Sequence, residues 1–172
     1  VTRILDAARR VFATGDGSGT LDKIAREAGV GIATLYRHFP NRQSLAEGVY
    51  ERIFVAEIEP LLTRLTTGAP RQALLEVAER IADVARRERG LVASLGSLGS
   101  ATSGLLARHR ETFDELVARG RATGQLRDDV TGDDVPHLLA MFASGTAVLD
   151  VDPTTRRRYL GLLLDALAPR PA

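Results

Sequence analysis

Residues 20–42 read TLDKIAREAGVGIATLYRHFPNR. Leu21, Ile24, Ala25 and Ala28 fall at i, i+3, i+4 and i+7, the spacing of one apolar helical stripe. Thr20 precedes that stripe, where its hydroxyl can accept a free backbone N–H of the first turn. Gly29 follows it and can take the left-handed conformation that ends a helix without a Cβ clash. A second apolar series begins almost at once, with Val30, Leu35 and Phe39 able to turn inward. Pro40 keeps this second helix short. Two short helices across a glycine turn, the second polar on its outer face, predict a helix-turn-helix.

Working outward, Ile4, Leu5, Ala8, Val11 and Phe12 mark a first helix that can cover the pair, and 15–19 (GDGSG) reads as a turn. Asn41 caps a long fourth helix, with Leu45, Val49 and Ile53 spaced by four. Pro60 should kink or end that helix; Leu61, Leu62 and Leu65 resume the pattern, which favours a kinked, extended helix over a loop. After a linker at 66–70, Pro70 opens a fifth helix carrying Leu74, Ala78, Ile81 and Ala85, with Gly90 as its stop. The stretch 91–104, LVASLGSLGSATSG, uses almost only small residues. Each glycine there lowers helix propensity by up to ~1 kcal/mol relative to alanine, so any helix is short or held by its neighbours.

Leu106, His109, Phe113, Leu116, Val117 and Gly120 trace one face of a seventh helix ending at Gly124. Thr131 and Asp134 fit a capping box that opens an eighth helix running towards Leu149, with Pro136 tolerated in its first turn. Asp152-Pro153 opens a ninth, which reaches about Leu167. No stretch alternates with period two for long enough to argue a strand. The expected fold is all-α, with about nine helices.

The chain has 172 residues, 44% hydrophobic and 26% charged, enough for a sizeable core in one or two domains. It has no cysteine, which excludes disulfides, zinc thiolates and thiol catalysis. No apolar run approaches the ~18 residues needed to cross a bilayer. Arg3, Asp6, Arg9 and Arg10 interrupt any secretory signal, so a cytoplasmic location is expected. Because the sequence starts at Val1, a further N-terminal segment, such as a basic arm, is expected before it. The net charge of +1 does not by itself point to nucleic acid.

The segment IAREAGVGIATLYRHFPNRQSL closely resembles the DNA-binding signature of TetR-type transcriptional regulators. Ile4-Leu5-Asp6-Ala7-Ala8 with Val11-Phe12 looks like that family's first helix, and the resemblance is specific to about Leu45. It implies an all-helical homodimer, with a three-helix DNA-binding domain at 1–45 and a larger effector-binding and dimerisation domain at 46–172. The expected partners are a double-stranded DNA operator, a small, largely apolar effector and a second copy of the chain, without a membrane, cofactor or metal.

The resemblance turns Ile32, Ala33, Thr34, Tyr36, Arg37 and His38 towards DNA while Leu35 and Phe39 pack inward. The family usually has serine or threonine where Gly31 stands, and often a polar residue at Ile32. Ile32 and Ala33 can touch thymine methyls but cannot make bidentate hydrogen bonds, which leaves Thr34 and Arg37 as the best polar readers. Tyr36, His38 and Arg42 are the expected phosphate contacts, with Thr20 in the same role at the second helix.

In the C-terminal half, the consecutive Leu162, Leu163 and Leu164 cannot share one helix face, and the eighth helix is apolar on several sides. This predicts a dimer interface at Phe142, Gly145, Leu149, Leu160, Leu163 and Leu164. The family's cavity position suggests an effector pocket near Leu98, His109, Phe113, Met141 and Phe142. Arg156, Arg157 and Arg158 are expected on a solvated face. His38, His109 and His137 are isolated, without metal-ligand spacing, nucleophile elbow or phosphate loop, so no enzyme is expected. The expected function is effector-released repression of transcription. Activation, or an all-helical interaction module without DNA binding, is the alternative.

Overall fold

Helix α1 (Thr2–Ala13) buries Ile4, Leu5, Ala7, Ala8, Val11 and Phe12, the stripe that its sequence spacing predicts. It packs on α2 (Leu21–Ala28), which in turn contacts α3 (Ile32–His38). These positions come from a computed structural model, which describes residues 1–13, 19–67 and 69–169. Most of the expected 15–19 turn, and Gly68 of the expected 66–70 linker, lie outside the described residues.

The predicted caps are formed. The Thr20 hydroxyl accepts from the Lys23 N–H at 3.2 Å, and Gly29 closes α2 in the left-handed region at φ +65°. The turn there needs that φ, which a side chain would strain. Asn41 and Ser44 exchange side-chain-to-backbone bonds in a full capping box that starts α4 (Arg42–Glu57).

The chain bends at Ile58, where α4 gives way to α5 (Glu59–Leu62) and a 3-10 turn at Thr63–Thr66. Pro60 sits in the first turn of α5, so the expected kink becomes a break into a separate short helix. Then come α6 (Pro70–Arg87) and α7 (Arg89–Val92). The serine- and glycine-rich stretch yields α8 (Leu98–Ala107), capped by Ser97, and α9 (Arg110–Ala122) follows a break at His109. Leu106 thus belongs to α8, while Phe113 and Leu116 belong to α9. The last two are α10 (Asp134–Val148) and α11 (Pro153–Ala166), the latter capped by Asp152 through the Thr154 and Thr155 N–H groups.

The described residues form eleven α-helices rather than nine, and no strand among them interrupts the all-α architecture. The two extra helices are α5, set off at Pro60, and α7, set off at Glu88; Gly90, the expected stop of the fifth helix, lies inside α7.

One continuous apolar core runs from Ile4 to Leu164. Helix α4 is central to it: Leu45, Ala46, Val49, Tyr50, Ile53 and Phe54 are all buried, against α1 on one side and α7 and α8 on another. Helix α10 packs on α6 and α8, and α11 packs on α6. Among the described residues, no helix is long and apolar enough to cross a membrane, and no cluster of three or more His, Cys, Asp or Glu side chains could hold a metal ion.

Candidate functional site

Helix α3 is only seven residues long and its N-cap, Gly31, supplies no side-chain hydrogen bond. A helix this short has no stability of its own and is held by packing. Leu35, fully buried, is its anchor, with Val30, Ile32 and Phe39 partly buried beside it. With Leu35 turned in, Ala33, Thr34, Tyr36, Arg37 and His38 are exposed, and Tyr36 leaves half of its surface in solvent. Ile32 is shared between core and surface. The result is a short helix presenting a polar, cationic face on a rigid three-helix base, a shape that a DNA major groove admits.

Arg42 is placed differently from expectation. Its Nε donates to Ser94 Oγ at 3.2 Å, one Nη donates to the Gly19 carbonyl, and the guanidinium lies 4.8 Å from the Phe12 ring centroid. The cation finds two acceptors and an aromatic face within the fold, so it ties the start of α4 to the segment after α7 instead of extending towards a phosphate. Thr20 remains exposed, with its oxygen used as the α2 cap.

Other buried links join α1 and α4 to the same region. Glu88, buried between α6 and α7, accepts from Arg9 Nη2 at 2.6 Å and from Arg87 Nε at 3.2 Å. Arg87 also donates to Glu57 at 2.6 Å. Burial alone would raise the Glu88 pKa, but the hydrogen bonds and charges of Arg9 and Arg87 outweigh it and hold the carboxyl below its ordinary 4.5. The Tyr50 and Thr102 hydroxyls share a buried hydrogen bond of 2.7 Å between α4 and α8. Burial pushes the Tyr50 phenol up to about 12, against the smaller lowering effect of Thr102, so it stays neutral.

A carboxyl whose pKa is lowered on folding contributes stability above its unfolded pKa and loses it as the pH falls through the folded value. Glu88→Gln is therefore expected to cost about 1–3 kcal/mol at pH 7, a moderate figure because Arg9 and Arg87 are partly solvated. In urea denaturation the gap between wild type and variant should narrow as the pH drops below 4.5. A gap constant from pH 7 to pH 3 would show that the ionised carboxylate is not the stabilising form.

On the far side of this joint lies a cavity of about 430 Å³, walled by the end of α6, by α7 and the start of α8, and by the end of α10 with the turn into α11. Ala82, Ala85, Val92, Leu98, Ala147 and Val148 give it apolar walls, while Arg86, Arg89 and Arg156 bring charge. Of the residues expected at an effector pocket, Leu98 lines it. His109 lies elsewhere, 3.2 Å from Glu59 and with its ring tilted against Phe54 at 6.3 Å, and Phe113 is fully buried in the core. Met141 points to solvent, and Phe142 packs against the core.

The three arginines were missed, yet one carried a signal: Arg156 stands four and eight residues before Leu160 and Leu164, on the stripe that both leucines bury. It is 5% exposed, not on the solvated face expected of it, whereas Arg157 and Arg158 are exposed.

Of the residues expected at a dimer interface, Leu160 and Leu164 are buried within their own subunit. Both lie on the inward stripe of α11, so they cannot cover a partner. Phe142 and Leu163 are partly buried, and Gly145 and Leu149 are exposed. Exposed with them are Met141 and Val148 on α10 and Tyr159 and Leu162 on α11, with Val148 84% exposed.

The sequence model for bacterial regulatory proteins of the tetR family matches residues 4–49, and that for the C-terminal domain of SbtR-like transcriptional regulators matches 69–169. No curated protein sequence matches the chain. Among solved structures, a TetR transcription regulatory protein from Mycobacterium vanbaalenii is 30% identical over 98% of this chain and 94% of its own, with a TM-score of 0.53. The TetR transcriptional regulator SCO0520 from Streptomyces coelicolor is 29% identical, with 99% of both chains covered and a TM-score of 0.55. RolR in complex with resorcinol is 18% identical over 98% of this chain and 87% of its own, and shares the fold at a TM-score of 0.78. The helix-turn-helix on its helical body is thus that of a DNA-binding transcriptional regulator. The chain belongs to the TetR family.

Proposed function

We propose that this regulator is a homodimeric repressor that leaves its operator when a small effector enters the cavity beside α7. The observation that carries the reading is the exposed face of α3 around the buried Leu35. Ile32, Ala33, Thr34 and Arg37 meet base edges, Ile32 and Ala33 through thymine methyls and Thr34 and Arg37 through polar contacts. Tyr36, His38 and Thr20 meet phosphates. The DNA-binding unit comprises residues 1–45 and the effector and dimer unit 46–172, with α4 as the element packed against both. Such a protein acts in the cytoplasm, where its operator is.

Release is supported by the position of the cavity. Ala93 and residues 96–99 line it, while Ser94 holds Arg42 and Glu88 holds Arg9. An occupant that shifts this segment therefore moves the supports of α1 and α4. It can do so only to the extent that it binds the shifted state more tightly. Two neighbours of the same fold were solved with small ligands, RolR with resorcinol and FadR from Bacillus subtilis with stearoyl-CoA, which accords with an effector site in this one.

The test is selection of genomic fragments by the purified protein, followed by titration of the recovered operator across salt concentrations. Arg37→Ala is expected to cost about 1–3 kcal/mol and to relax discrimination at the base pair it reads, with the slope of log K against log salt staying close to that of the wild type. Arg42→Ala should also leave the slope unchanged, because that guanidinium is held within the fold. Recovery of no sequence-specific fragment would overturn the reading.

A further inference from the structure

Arg156 and Glu88 are the buried charged residues among those described. Arg156 is the cation of the two. Its side chain is 6% exposed, and Nη2 donates to Asp83 at 2.6 Å. Its buried Nε has no hydrogen-bond partner among the described residues. Asp83 is itself shared, because Arg86 approaches it at 3.5 Å. The remaining cation of the cavity wall, Arg89, is paired with Asp150. The arginines Arg86, Arg89 and Arg156 thus face two carboxylates, Asp83 and Asp150, and the uncompensated charge lies where α6 meets α11. A buried guanidinium with an idle donor is costly unless something completes it. Small apolar side chains, Ala82, Ala85, Val92 and Ala147, line the same cavity.

We propose that the cavity takes an organic carboxylate, whose acid group is held by Arg156 with Arg86 beside it and whose apolar body lies against the alanine and valine wall. This rests on the reading of the cavity as the effector site and names the chemical class of the effector. It replaces the expectation of a largely apolar ligand. Guanidinium suits this role because its planar fork matches a carboxylate and stays charged when buried. A volume of about 430 Å³ suits a small metabolite and not a macromolecule.

The experiment pairs each acid with its uncharged amide: octanoate with octanamide, and phenylacetate with phenylacetamide, so that two body shapes are sampled. Binding to the full chain is followed by calorimetry and by melting temperature, with sulfate as the bare anion. At least one carboxylate should bind about tenfold or more tightly than its amide. Arg156→Met should remove that preference. In the absence of any probe, Arg156→Met should leave the melting temperature unchanged or raise it, since an under-satisfied buried charge is replaced by an apolar chain and Asp83 keeps Arg86.

Equal affinity for acid and amide, binding of neither acid, or equal stabilisation by sulfate would overturn the proposal. So would a marked fall in the ligand-free melting temperature of Arg156→Met, which would make Arg156 a structural strut. Operator binding by the wild-type protein without probe is measured alongside. If it is present while the carboxylates fail, the ligand class alone is wrong; if it is absent, the regulator reading fails instead.

Discussion

Leu35→Ala is expected to weaken operator binding by about 30-fold or more while leaving the C-terminal helices folded. Truncating a buried leucine costs about 2–5 kcal/mol through lost burial and the cavity left behind, and 2 kcal/mol is already a factor of about 30. In most helices such a loss is spread over many contacts. Helix α3 has seven residues, no side-chain cap and Leu35 as its single buried residue, so the loss falls on that helix. The exposed Thr34, Tyr36, Arg37 and His38 project from this one short helix and lose their common orientation when it frays. Leu35→Met, close to volume-conserving, should keep most of the affinity. Fluorescence anisotropy with a labelled operator measures the loss, and amide exchange in residues 32–38 locates it. Wild-type affinity in Leu35→Ala would mean that α3 is not the reading element.

The features that could be read in advance are those whose causes lie within a few residues. Thr20 caps α2 through Lys23, Asn41 pairs with Ser44, and Asp152 caps α11 through Thr154 and Thr155, each partner within three positions. Gly29 turns left because the following helix must begin immediately. The exposed and buried sides of α3 likewise follow from spacing around Leu35. What escaped was set by partners remote in sequence. Arg42 is turned inward by Ser94, 52 residues away, and Arg156 is held by Asp83, 73 residues away.

Local composition places an arginine by default in solvent, and only the packed fold brings it a distant acceptor. The inward position of Arg156 could still have been suspected from its register with Leu160 and Leu164. The consecutive leucines 162–164, which cannot share one face, pointed to a partner, yet Leu160 and Leu164 fill their own core. The cavity had no comparable signal, because five separate segments wall it and each contributes only a few side chains.

The largest effect is expected from charging the outer faces of α10 and α11. Leu149→Lys with Leu162→Lys should convert the dimer into a monomer and lower operator affinity by about 10²–10⁴. Both side chains are exposed in the single subunit, so lysine there breaks no internal packing and should alter subunit stability little. Large apolar side chains are left in solvent on both elements, Met141 and Val148 on α10 with Leu149 just after it, and Tyr159 and Leu162 on α11, which supports the proposed twofold contact there.

A twofold partner on these faces would hold two recognition helices on one side of the duplex, about 34–36 Å apart for half-sites one turn apart. The second helix then binds at a high effective concentration, and losing that linkage costs about two to four orders of magnitude without touching any base contact. Sedimentation velocity reads the oligomeric state, and anisotropy reads the affinity for a full operator against a single half-site. The double variant should bind both with similar weak affinity, whereas wild type should strongly prefer the full site. A double variant that sediments as a dimer would place the interface elsewhere. A monomeric variant with undiminished affinity would show that one recognition helix suffices.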